Sequence, residues 1–319
     1  MLFPTSGVEI SPIIPFLVAF FVSFFTSMGG VSGAFLLLPF QMSFLGYTNP
    51  SVSATNQLFN VIAIPSGVYR YYKEGRMVWP LTWTVIIGTL PGVFIGAIVR
   101  IGYLPDPKKF KLFAALILLY VGLRMVRDLT RKPLVGIDKS SGEKRFRELV
   151  REHRRKAENS RGKGKEALPA VSIIEFSLKR IKYDFYDEQF DVPVFGVFLL
   201  SFIVGIVGGI YGIGGGAIIA PFFVSFFRLP VYTVAGAALM GTFVTSVAGV
   251  IFYQGIAPFY PDMSVAPDWL LGSLFGLGGI AGMYLGARFQ KYVPANVIKW
   301  MLSAIIIFTA FKYISGFFQ

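Results

Sequence analysis

The chain contains no cysteine and a single histidine among its 319 residues. Without cysteine there is no structural disulfide, no thiolate metal site and no thiol nucleophile, although the redox compartment stays open. The lone His153 lies in a polar middle segment and reads as a surface residue of a helix, not as a metal ligand. Acidic residues are also scarce where they would matter. Glu9, Glu74, Asp106, Asp262 and Asp268 all fall in loops or at segment starts, outside the long apolar stretches. Intramembrane carboxylates are the usual proton relays of pumps and transporters, so their absence speaks against a carboxylate-lined cation path. It also weakens an intramembrane hydrolase or transferase, because Ser and Thr alone have no evident general base. No cofactor is expected. Residues 1–11 lack Lys and Arg, and no small-residue cleavage site precedes Pro12, which predicts no cleavable signal peptide.

What is present is hydrophobic. Apolar residues make up 54% of the chain, too much for one soluble core to hide. Several stretches approach or exceed the roughly 18 residues that suggest a spanning helix. The formal charge of +13 is concentrated: residues 127–191 hold 17 of the 30 basic residues and 12 of the 17 acidic ones. The remaining basic residues lie mostly near the ends of apolar segments, as the positive-inside rule places them. A membrane-flanking loop explains this better than nucleic-acid binding.

The chain repeats itself. Gly29-Gly30-Val31-Ser32-Gly33 interrupts apolar sequence in the first half, and Gly212-Ile213-Gly214-Gly215-Gly216 does so in the second. An offset of 182 carries Gly30, Gly33, Pro39, Phe40, Gly67 and Tyr71 onto Gly212, Gly215, Pro221, Phe222, Gly249 and Tyr253. Gly88, Gly92 and Gly96 recur as Gly278, Gly282 and Gly286 at an offset of 190. Four-residue spacing lines these six glycines along helix faces and predicts close packing, not ligand contact.

Residues 12–28 and 33–47 flank the first break, each too short as a helix for the ~30 Å hydrocarbon core. A re-entrant hairpin follows, then long segments near 50–72, 79–103 and 109–126, the first kinked at Pro65. The second half gives 193–211, 214–227, 231–253, 268–288 and 295–315. The predicted class is an all-α polytopic membrane protein. It has two inverted-topology repeats, each a re-entrant or broken helix hairpin plus three transmembrane helices. The first repeat is 1–126 and the second 192–319. Between them, 127–191 is a charged cytoplasmic connector with short helices. The 254–267 loop, which lacks basic residues, falls outside; Arg100, Lys108, Lys109 and Lys111 do not fit this assignment. A cell (inner or plasma) membrane location follows. In the connector, Ser140-x-x-Glu143 and Ser172-x-x-Glu175 match helix-starting capping boxes. Tyr183, Phe185 and Tyr186 read as interfacial aromatics. The basic connector can bind anionic lipid or serve as a solvated link.

Paired glycine breaks at matching positions are the sequence mark of a secondary transporter's binding site. Gly30, Ser32, Gly33, Gly212, Gly214, Gly215 and Gly216 are therefore candidate substrate contacts. The half-helices that follow them offer N–H groups and a positive dipole end to an anion. Ser32 departs from the glycine pattern and can cap its half-helix or touch the substrate. The same glycines also suit a sharp turn and tight packing. Ser53, Asn56, Gln57 and Asn60 recur at i, i+3, i+4 and i+7, a polar stripe that must face protein or a wet cavity. The matching second-half face holds Ala238, Thr242, Thr245, Ser246 and Gly249. Of these, Asn56, Gln57, Asn60, Thr242 and Thr245 join the candidate set.

The Gly212–Gly216 run with Pro221 downstream, and its imperfect copy from Gly30 to Pro39, resemble the TauE/SafE family of membrane permeases. The resemblance covers about 12–126 and 193–315. It implies transport, commonly export, of small organosulfur anions such as sulfite, sulfoacetate or related sulfonates. The long charged middle segment and Ser32 depart from a compact family member. An anion channel is the alternative. Direction, coupling ion and oligomeric state are not legible in the residues.

Overall fold

The computed structural model describes residues 1–29, 32–73, 77–130, 171–185, 188–227, 229, 231–289 and 295–318. A short antiparallel hairpin, β1 (Leu2–Phe3) and β2 (Val8–Glu9), precedes the first apolar run. That run folds as α1 (Ile13–Gly29) and α2 (Ala34–Ser43). Next come α3 (Ser51–Ala63) and α4 (Pro65–Lys73), then α5 (Trp79–Gly102) and α6 (Pro107–Thr130). The expected kink is a break at Ile64, where Pro65 has no N–H to continue the helical ladder.

The second half begins with strands β3 (Ser172–Phe176), β4 (Arg180–Phe185) and β5 (Glu188–Pro193). Helices α7 (Val194–Tyr211) and α8 (Ile219–Phe226) form its hairpin. Then follow α9 (Val231–Ile256), α10 (Trp269–Phe289) and α11 (Ala295–Phe318). Among the described residues, five segments are long and apolar enough to cross a membrane: Trp79–Gly102, Val194–Tyr211, Thr233–Phe259, Trp269–Gly286 and Val297–Phe318. The polytopic helical class stands.

The connector needs a correction. Ser172-x-x-Glu175 does not start a helix; it lies in β3 of an antiparallel meander. The reason is the period-2 pattern next to it, which buries Ile181, Tyr183 and Phe185 along β4. Glu175 pairs across the strands with Lys182 at 2.9 Å and does not close a capping box. Tyr183 and Phe185 are buried within the protein, and Tyr183 bonds Thr233 at 2.9 Å. Burial pushes the Tyr183 phenol up, and the Thr233 bond opposes this in part. Ser140, His153 and Tyr186 lie outside the described residues.

The glycine rows pack helices across the two halves, as their spacing predicts. A Cβ on Gly88, Gly92 or Gly96 of α5 would stand 2.8, 2.4 or 2.3 Å from the carbonyl oxygens of Phe198, Phe202 or Ile206 on α7. On α10, Gly278, Gly282 and Gly286 meet the carbonyls of Phe16, Phe20 and Phe24 on α1 at 2.1, 2.1 and 2.3 Å. Those two carbonyl rows are themselves related by the offset of 182. Each hairpin's long arm is thus seated on the glycine helix of the other half. Backbones this close gain dispersion contact that any side chain would prevent.

Candidate functional site

Helix α3 is bonded to both glycine-break regions. Its buried face carries Ser53, Asn56, Gln57 and Asn60, none with any exposure. The Asn56 amide donates to the Ala34 carbonyl at 3.2 Å, just past the first break. One turn later, Asn60 donates to the Ile213 carbonyl at 2.9 Å, inside the second break, and to Ser246 Oγ at 3.4 Å. Ser53 donates to the Ile210 carbonyl at 2.9 Å. The Tyr211 hydroxyl reaches the Phe35 carbonyl at 3.0 Å, joining the hairpins directly. The i, i+4 pair thus ties both breaks to one helix, a pitch of about 5.4 Å apart.

The second break is a left-handed turn. Gly212 (φ 81°) closes α7, and Gly214 (φ 75°) follows in the region that side chains rarely enter. Crowding adds to this. A Cβ on Gly212 would lie 2.4 Å from the Ser53 carbonyl, and one on Gly216 2.1 Å from that of Ala238. At Gly215 it would meet Thr89 Cβ at 2.5 Å, and at Gly214 Ser246 Oγ at 2.6 Å. These glycines admit neighbouring helices, which is the packing use weighed from the sequence.

The expected free donors are partly committed within the protein. Gly215 N–H donates to Thr245 Oγ1 at 3.0 Å, and Gly212 N–H returns to the Gly208 carbonyl. Thr242 donates to Ala238 on its own helix at 2.8 Å. At the first break, the residue capping α2 is Gly33, which supplies no side-chain cap. The Ser32 carbonyl accepts from Phe35 N–H at 3.2 Å. Gly33 packs beside Ser23, Phe59 and Thr26. Gly30 lies outside the described residues.

Three amides near the breaks, Gln57, Asn60 and Gln41, keep buried atoms without a hydrogen-bond partner. Gln57 has both its amide nitrogen and oxygen buried without a hydrogen-bond partner. Asn60 Oδ1 and Gln41 Oε1 are in the same condition, while Gln41 Nε2 reaches Asn56 Oδ1 at 3.4 Å. An unmatched buried polar group costs about 1–3 kcal/mol, so a cluster of them marks a place built to meet something polar. Gln57 sits against Gly249, where a Cβ would fall 1.8 Å from its Oε1. At the matching place, Leu239 lies 3.6 Å from a Cβ on Gly67. An apolar side chain therefore fills the symmetric position.

Two residues escaped the sequence reading. Gln41 is fully buried, and its signal was a lone amide inside an apolar run. Arg100 appeared as a charge on the wrong side. It is fully buried, so it should not be counted among loop charges.

The chain matches the family model described as "Sulfite exporter TauE/SafE" over residues 15–313. It is 23% identical over 301 residues to a "Probable membrane transporter protein" of Xylella fastidiosa (strain 9a5c), covering 91% of this chain and 92% of that one. Shorter matches link it to two proteins of Bacillus subtilis (strain 168). "Probable membrane transporter protein YdhB" is 23% identical over 114 residues, 36% of this chain and 43% of the relative. "Probable membrane transporter protein YunE" is 24% identical over 108 residues, 34% and 37% of the two chains. Each Bacillus match therefore spans less than half of that relative's length. No solved structure matches. With a family match over nearly its whole length and glycine breaks joined by a polar helix, the chain belongs to the sulfite exporter TauE/SafE family of membrane transporters.

Proposed function

We propose that this protein carries a small organosulfur anion, such as sulfite or a sulfonate, out across the cell membrane by alternating access between two inverted repeats. The observation that carries the reading is α3, whose amides bind both glycine breaks while Gln57 between them keeps its own amide unpaired. Neutral donors suit an anion, since amide and hydroxyl groups can coordinate its oxygens without an ion pair. The Gln57 nitrogen, the Ser246 hydroxyl and the Asn60 amide are the proposed ligands, with Thr245 and Gly215 shaping the wall.

Inversion is supported by what precedes each hairpin. Ser6 and Thr5, before α1, bond Asp268 at the start of α10 and Ser264 in the loop that leads to it. Tyr183, before α7, bonds Thr233 at the start of α9. Because α9 ends where α10 begins, the two hairpins enter from opposite ends. Complete burial of Asn56, Gln57 and Asn60 favours an occluded carrier over an open channel. The test is flux of sulfite, thiosulfate, sulfoacetate and taurine in proteoliposomes, with and without a proton gradient. Saturable, counter-transported flux of at least one is expected; no flux of any would overturn the reading.

A further inference from the structure

Arg100 stands near the end of α5, fully buried. Its guanidinium lies 3.7 Å from the Phe110 ring centroid. It donates to the Thr48 carbonyl at 2.7 Å and to that of Leu104, and its Nε has no hydrogen-bond partner. No carboxylate forms an ion pair with it among the described residues. Asp268, the other buried charge at this end, gives one carboxylate oxygen to Ser6 and the other to Leu271 N–H at 3.0 Å. A desolvated guanidinium without a counter-ion is costly. Backbone carbonyls offset only part of that.

Polar groups lie between this cation and the central amides. Ser53 donates to the Ile210 carbonyl beside the second break, and the Tyr253 hydroxyl reaches the neighbouring Gly209 carbonyl at 3.4 Å. Tyr253 packs in one cluster with Ala97 and Ile101, which flank Arg100 along α5. On the other flank, Tyr47 bonds Ser51 and, at 2.8 Å, Thr55. Burial pushes the Tyr47 phenol up, so it stands as a neutral hydroxyl.

We infer that Arg100 is a second anion site, on the route between the central amide cluster and the loops 44–50 and 103–106. The inference rests on the transport reading above. A guanidinium presents paired N–H donors that match an oxyanion two at a time. An anion arriving there exchanges its oxygens for the Thr48 and Leu104 carbonyls. That exchange releases both loops as the ion passes.

The experiment uses the full chain in proteoliposomes of known orientation, with sulfite presented to one face at a time. R100Q keeps amide donors for the two carbonyls without the charge; R100K keeps the charge without the planar fork. R100Q is expected to raise KM for sulfite on the outer face tenfold or more, with the inner-face KM within twofold. R100K should fall between R100Q and wild type. Melting temperatures are taken alongside. A lowered Tm with both KM values unchanged makes Arg100 a structural clamp and overturns the site; so does an equal rise on both faces. Should R100Q not be recovered folded, R100K decides by the same split between faces. Saturable wild-type flux that R100Q leaves untouched sinks Arg100 alone, whereas no wild-type flux sinks the transport reading and this site with it.

Discussion

At Gln57 the demands of folding and of the proposed function pull against each other. Its buried amide makes no hydrogen bond, and the matching position in the other half is Leu239. Replacing an unmatched amide with an apolar group of similar size is neutral or stabilising, by up to about 1–3 kcal/mol. Gln57→Leu is therefore expected to melt at the same or a higher temperature while anion flux falls at least tenfold. A variant that melts higher and transports normally would remove Gln57 from the site. Asn60→Ala should behave differently, because it frees the Ile213 carbonyl and loses a bond of about 1 kcal/mol. A fall in both Tm and flux is expected. Gly215→Val is a packing test: its Cβ would overlap the Thr89 side chain. Overpacking of this kind costs about 1–3 kcal/mol or more, so reduced recovery of folded protein is expected before any question of flux arises.

At the scale of elements, the seams α5–α7 and α1–α10 hold the halves together through glycine rows facing carbonyl rows. Gly92→Leu and Gly282→Leu each force a side chain into a gap of 2.4 or 2.1 Å at Cβ. Both should give little monodisperse protein by fluorescence-detected size exclusion. Gly316→Leu is the control, since nothing lies within 4 Å of a Cβ there, and leucine gains about 1 kcal/mol over glycine in a helix. Equal recovery of all three would show that close backbone contact is not what binds the seams. The spacing of these glycines was legible because four residues return to one helix face. Their partners were not, because periodicity names a face without naming what it meets.

Across the whole molecule, orientation is the open quantity, and the absence of native cysteine makes it measurable. Leu178, at the turn between β3 and β4, is 94% exposed, and Asp262 is exposed beyond α9. A cysteine at Leu178 should react with an impermeant maleimide only from the cytoplasm, and one at Asp262 only from outside. The reverse pattern would invert the topology. Burial of Arg100 removes one of the four charges that conflicted with this assignment, leaving Lys108, Lys109 and Lys111 at the start of α6.

By itself the sequence determined that this is a polytopic membrane protein whose two halves share glycine and proline positions at one offset. Apolar runs, two glycine breaks at one offset and a polar stripe are local patterns, each forced by the cost of exposing backbone or amides to hydrocarbon. It also marked Asn56, Gln57 and Asn60 as residues that had to face protein or water. Only the tertiary structure decided which breaks those amides serve, that each long arm packs on the other half's glycine helix, and that Arg100 is buried. It also decided that Ser172–Phe176 is a strand. Contacts between residues over a hundred positions apart depend on how whole helices settle against one another. No periodicity within a single segment records that choice.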